Sequence, residues 1–190
     1  MFKIVLASAS PRRKELLQQV DISVICLPVD IDERVKNDEK PLGYCQRLAL
    51  EKAKTGWQKS DKVFPVLGSD TIVVFDNHIL GKPKDNSDAF KMLMKLSGKE
   101  HQVITAIAMV FKNKQKVLQS ISSVQFSELN QVDVLEYIKS GQPMDKAGGY
   151  GIQGFAATWV KHISGSYSGI MGLPLYETMQ LINEFSQHNE

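Results

Sequence analysis

Apolar and polar positions along this chain fall into blocks whose period switches, and the switches mark out its elements. A strand-like run near residues 2–7 is followed by a helical pattern near 11–19 and a second strand near 22–27. A charged, irregular stretch runs from Asp30 to Lys40. Leu42, Cys45, Ala49 and Ala53 then share one face at helical spacing, with Arg47 and Glu51 as an i,i+4 pair outside it, which predicts a helix from about 41 to 58. Val63 to Phe75 is β-branched and apolar apart from Gly68-Ser69-Asp70-Thr71, and Asp76-Asn77-His78 reads as a hairpin turn into Ile79-Leu80. Asn86 or Ser87 is expected to cap a helix carrying Phe90, Leu93 and Met94 that Gly98 closes. His101 to Phe111 and Gln115 to Phe126 predict two strands joined at Asn113-Lys114, an antiparallel pair within a mixed sheet. A helix through Val134, Leu135 and Ile138 runs to Gly141, a Gly-rich segment follows at 147–154, and the last helix starts at Pro174 and packs Leu175, Met179, Ile182 and Phe185. This succession of strands and helices predicts an α/β fold.

Composition narrows the class. At 190 residues the chain fits one domain, 1–190, and is long enough to bury a true core. With 43% hydrophobic residues, 23% charged residues and a net charge of +2, it has neither a disordered composition nor a generally basic surface for nucleic acid. Cys26 and Cys45 lie in apolar contexts with no further pair, which argues against a disulfide framework or structural zinc and predicts two buried thiols. No apolar stretch approaches the length of a membrane span, and the opening apolar run is too brief for a signal peptide, so the cytoplasm is the expected location.

The candidate chemistry begins at Ser8-Ala9-Ser10-Pro11-Arg12-Arg13, where a strand empties into a helix N-terminus with its unpaired N–H groups and positive dipole. Pro11 suits the first helical position and Ser10 is expected to cap it. Two arginines in that turn oppose the dipole, and a bound anion would compensate them. Asp70 interrupts an apolar strand, where a carboxylate needs a partner or a metal. Lys82, in Leu80-Gly81-Lys82-Pro83, is expected to return from the hairpin close to Asp70. Asp30, Asp32 and Glu33 follow the second strand, and Glu33 with Asp70 would suffice for Mg²⁺, which takes few protein carboxylates. Lys52 lies one helical turn beyond Leu48 at the border of the apolar stripe, its stem covered and its ammonium free to reach a cleft. The glycines of 148–154 permit close backbone approach to a ligand, and Gln153 offers both donor and acceptor to a nucleobase edge. Taken singly, each has a plainer reading: a capped surface helix, an Asp closing a bulge, a solvated loop lysine, an acidic loop, a tight glycine turn. The P-loop, His-Glu-x-x-His and Gly-x-Ser-x-Gly patterns are absent, and Gly165-Ser166-Tyr167-Ser168-Gly169 has tyrosine where a nucleophile would stand.

Five segments in register, Leu6 to Arg13, Glu51-Lys52-Ala53, Gly68-Ser69-Asp70-Thr71, Gly81-Lys82-Pro83 and Asp145 to Gly154, resemble the Maf family of nucleotide pyrophosphatases. Within it the chain resembles the dTTP/UTP-hydrolysing branch, because Arg12, Thr71 and Gln153 match the positions that choose the base. The resemblance implies an elongated α/β fold with a mixed, curved sheet flanked by helices, as in the inosine triphosphatases, with two lobes around a deep cleft and a homodimer. It implies hydrolysis of a nucleoside triphosphate to the monophosphate and pyrophosphate with a divalent metal, Mg²⁺ or Mn²⁺. It implies Asp70 as proton acceptor, Glu33 as a second acidic residue able to hold metal with it, and Ser8, Ser10, Arg13, Lys52 and Lys82 on the phosphate side. The family's association with arrest of septum formation leaves a nucleotide-sensing regulator as the alternative. No nucleic acid or membrane partner is expected.

Overall fold

Strand β1 (Lys3–Leu6) is apolar at Ile4, Val5 and Leu6, all buried, because it has a parallel neighbour on each side. Those neighbours are β2 (Ser23–Cys26) and β3 (Val66–Phe75), and helices α1 (Pro11–Gln19) and α2 (Pro41–Lys59) make the crossovers. The computed structural model describes residues 2–186. The chain continues through β4 (His78–Leu80), α3 (Asn86–Leu96), β5 (Glu100–Phe111), β6 (Lys114–Phe126), α4 (Gln131–Lys139), three short 3₁₀ turns, β7 (Val160–Ser164), α5 (Tyr167–Met171) and α6 (Leu175–Ser186). The strands form a seven-stranded sheet in the order β2-β1-β3-β5-β6-β7, with β4 on β3. Parallel β1 pairings and antiparallel β3–β4 and β6–β7 pairings make it mixed. The fold is therefore α/β with helices on a mixed sheet.

The chain sorts into two compact units. One comprises 1–70, 105–120 and 172–190; its core includes Leu6, Leu17, Leu48, Leu67, Ile107, Met109 and Phe185. The other comprises 71–104 and 121–171; Leu93, Leu96, Val124, Phe126, Val134, Tyr137, Tyr150 and Trp159 are buried there. Strands β3, β5 and β6 each contribute residues to both.

Several local expectations change. Asp85, not Asn86 or Ser87, caps α3: its extended backbone lets its carboxylate accept from Asp88 N at 2.8 Å, while Asp88 accepts from Lys84 N at 3.0 Å. Asp76 and Asn77 both take positive φ, 49° and 61°, which makes the β3–β4 connection a tight two-residue turn. The β5–β6 turn is Lys112-Asn113, one residue earlier than expected, with Lys112 at φ 52°. Cys45 is buried, but Cys26 is exposed because β2 is an edge strand. Among the described residues no helix is long and apolar enough to cross a membrane.

Candidate functional site

The face that α2 turns to the sheet is made of small residues: Cys45, Ala49, Ala53 and Gly56 are all buried. Gly68 on β3 completes the fit. A Cβ there would press on the Ala49 carbonyl oxygen and lie 2.6 Å from the Ala53 nitrogen, so only glycine lets helix and strand come this close. On a strand, Gly68 and Asp70 share one side and Ser69 faces the other. Asp70 is thereby directed at α2, where Lys52 Nζ lies 2.7 Å from its Oδ1. Cys45 Sγ donates to the Asp70 main-chain oxygen at 3.3 Å, and burial pushes that thiol up to about 12, so it is no nucleophile.

Asp70 is only 7% exposed. Its burial is the largest influence on its carboxyl and raises it above the ordinary value; Lys52 and Arg13 pull the other way, and Glu33 adds to the rise.

The same ammonium serves a second acid, since Lys52 Nζ also lies 2.7 Å from Glu33 Oε1. Glu33 is half exposed in the charged 30–40 stretch, which α2 holds at several points. Tyr44 Oη donates to the Glu33 main-chain oxygen at 2.8 Å, and Arg47 donates to the Arg34 oxygen at 3.0 Å and pairs with Glu39 and Glu51. Carboxylate oxygens of Asp70 and Glu33 are hard donors, the type that a small divalent cation takes. Among the described residues no group of three or more His, Cys, Asp or Glu side chains gathers for a metal.

The turn after β1 supplies the cationic side. Arg13 Nε donates to the Gly172 oxygen at 2.8 Å and Nη1 to Ser8 Oγ at 3.1 Å. Burial lowers the Arg13 guanidinium and the Asp70 charge draws it back up; it stays charged. Ser8 Oγ also accepts from Ser10 N at 3.2 Å, and Ser10 makes no side-chain cap, because the Ser8 hydroxyl has taken over the turn. Arg12 stands partly exposed in the first turn of α1. Ser69, fully buried, donates to the same Gly172 oxygen at 2.9 Å.

The remaining sequence candidates belong to the other unit. Thr71, partly exposed, directly follows Asp70. Lys82 is exposed in the loop that follows the β3–β4 ladder, whose last pair is Val73 with Leu80. Gly148 N donates to the Gly81 oxygen at 3.0 Å, and a Cβ on Gly149 would lie 3.4 Å from Pro83, so the Lys82 loop and the Gly-rich segment are packed together. Gln153 is exposed on that segment. Sequence reasoning missed Ser69, Tyr44 and Gly172. The alternation of β3 could have flagged Ser69, whereas nothing local marks Gly172.

A family model described as Maf-like protein matches residues 3–185. A dTTP/UTP pyrophosphatase of Saccharophagus degradans is 46% identical over 96% of this chain and 88% of its own length. A protein of the same name from Pseudoalteromonas translucida is 50% identical over 96% of each chain. Among solved structures, a nucleoside-triphosphatase / dITP/XTP pyrophosphatase of Mycobacterium abscessus aligns with a TM-score of 0.46 at 17% identity, over 66% of this chain and 74% of that one.

Proposed function

This chain belongs to the Maf family, and from that premise we propose that it hydrolyses dTTP and UTP between the α- and β-phosphates, releasing the monophosphate and pyrophosphate. Relatives carrying that name at 46% and 50% identity over nearly the whole chain support the substrate class. The observation that carries the reading is Asp70: a buried carboxylate, raised by burial, that the sheet aims at Lys52 and Glu33.

Asp70 accepts a proton from the attacking water, and Lys52 holds its carboxylate in place. Arg13, with Ser8 and Ser10 in the same turn, meets charge on the phosphate oxygens, as do Lys52 and Lys82. Asp70 and Glu33 are the residues that would hold a divalent cation, Mg²⁺ or Mn²⁺, which when bound neutralises phosphate charge. Arg12, Thr71 and Gln153 select the base. The chain works as one domain, 1–190, in a cytoplasmic homodimer, on free nucleotides rather than nucleic acid.

The test is pyrophosphate release by purified protein from dTTP, UTP and the purine triphosphates, with and without chelator. The pyrimidine nucleotides should turn over and Asp70→Asn should lose about 10²- to 10⁴-fold, the range for a general base. Tight dTTP binding with no release would leave a nucleotide sensor instead.

A further inference from the structure

His101 on β5 is 3% exposed, and neither the core nor the proposed chemistry accounts for it. Its ring stands edge-on to Phe126 at 5.0 Å and to Tyr150 at 5.4 Å, contacts a phenylalanine would make equally well. A buried imidazole costs more than a phenyl ring unless its nitrogens are satisfied. Among the described residues Nδ1 has no hydrogen-bond partner, and Nε2 lies 2.7 Å from the Tyr150 hydroxyl. Whichever of the two donates, Nε2 and the Tyr150 hydroxyl satisfy each other. Burial depresses the imidazole to about 4, so it is neutral. The hydrogen bond of the His101 imidazole therefore goes to the middle of the Gly-rich segment.

That segment is anchored at successive points. Gly148 takes φ +68° against Val73, where a Cβ would lie 3.0 Å from that side chain, and its N–H is bonded to Gly81. Tyr150 and Ile152 are buried, 5% and 8% exposed, while Gln153 between Ile152 and Gly154 is exposed. Gly149 and Gly154 have positive φ, 74° and 89°, so the backbone on either side of this stretch is permissive and its placement depends on the anchors.

We propose that the His101–Tyr150 hydrogen bond is a positioning latch that sets where Gln153 is presented, so that preference among nucleobases depends on two buried residues that do not themselves read the base. The inference rests on the reading that Gln153 contacts the base. Tyr150→Phe removes one hydroxyl and keeps the ring packed on Phe126, 4.8 Å away. His101→Phe removes the ring nitrogen that Tyr150 meets and keeps the edge contacts.

The experiment measures kcat and KM for dTTP, UTP and dATP in both single variants, the double variant and Gln153→Ala, with thermal midpoints alongside. The expected result is a several-fold narrowing of the dTTP to dATP ratio in each single variant, carried by KM with kcat within about twofold. The double variant should be no worse than either single, as for two members of one interaction. Adding Tyr150→Phe to Gln153→Ala should change the ratio no further. If Gln153→Ala narrows the ratio while Tyr150→Phe and His101→Phe lower only the midpoint, the latch is overturned and the base reading stands. If Gln153→Ala leaves the ratio unchanged, the base reading fails and the latch with it. Should His101→Phe fail to fold, Tyr150→Phe alone decides.

Discussion

Replacing Lys52 with methionine keeps the buried stem and deletes the charge that two acids share, so the variant isolates what the ammonium does for Asp70. In the native arrangement the ammonium is 2.7 Å from Asp70 Oδ1 and 2.7 Å from Glu33 Oε1. Taking charge centres about 4 Å apart and an effective dielectric near 20, its attraction for the Asp70 carboxylate is about 4 kcal/mol. The Glu33 charge already pushes on Asp70 in the native protein and is half exposed, so its repulsion adds little to the change. Water entering the vacated space cuts the first figure by about half, which leaves roughly 2 kcal/mol against ionised Asp70. At about 1.4 kcal/mol per pH unit, the Asp70 carboxyl should rise by one to two units. The sign follows directly: a proton acceptor works only when ionised, so activity is lost as pH falls through its pKa, and raising that pKa moves the loss to higher pH. The assay is kcat/KM for dTTP hydrolysis across pH, whose acid limb reports the free enzyme. Lys52→Met should lower the plateau through weaker phosphate binding and also shift the acid limb up by one to two units. An acid limb that stays in place while activity falls by one factor at every pH would refute the coupling and leave Lys52 acting on substrate alone.

The other predictions test packing and linkage. Asp70→Asn should hold or raise the thermal midpoint at neutral pH while abolishing turnover, because a carboxyl raised in the folded state makes its ionised form a cost to folding; a midpoint several degrees lower would contradict that sign. Gly68→Ala should cost about 1–3 kcal/mol or more in urea denaturation, since the added carbon meets helix backbone that cannot rotate aside; unchanged stability would mean that α2 does not pack this closely. Hydrogen bonds from Arg47 hold the Glu39 carboxyl down at about 2, so its contribution is present above the ordinary carboxylate range and lost as pH falls towards 2. Glu39→Gln should flatten the acid side of the stability–pH curve in that window, and a curve parallel to wild type would remove Glu39 from the linkage.

What could be read from the chain alone follows from how local each cause is. The stripe Cys45, Ala49, Ala53 is a helix period, and Asp70 stands out in an apolar strand whatever surrounds it, so both were legible. The partner of Asp70 was not. Hairpin return pointed to Lys82, whereas the cation comes from α2, and that depends on the distance between two elements, set by Gly68 more than ten residues from Lys52. Ser10 carried the stronger capping signal, but Ser8, two residues earlier, bonds both Ser10 N and Arg13. Strand β7 escaped because Val160–Ser164 is an edge strand with polar, exposed positions and no apolar alternation to announce it. Gly172 matters through a carbonyl, which no side-chain pattern can signal.

These particulars converge on one requirement, that a carboxylate be kept in a sheet interior without being neutralised for good. A lysine from a loop would reach Asp70 with a flexible stem and a variable distance, and its effect on the carboxyl would vary with it. A lysine from a helix seated on glycine and alanine reaches it along a fixed line, because Ala49 and Ala53 in contact with Gly68 bracket Lys52 on the same helix. The small residues of α2 are thus part of the electrostatics as much as of the core. Glu33, on the same ammonium, pushes the Asp70 carboxyl up and so adds to a burial effect that Lys52 and Arg13 do not overcome. An acid paired to Lys52 alone would be a better salt bridge and a weaker base.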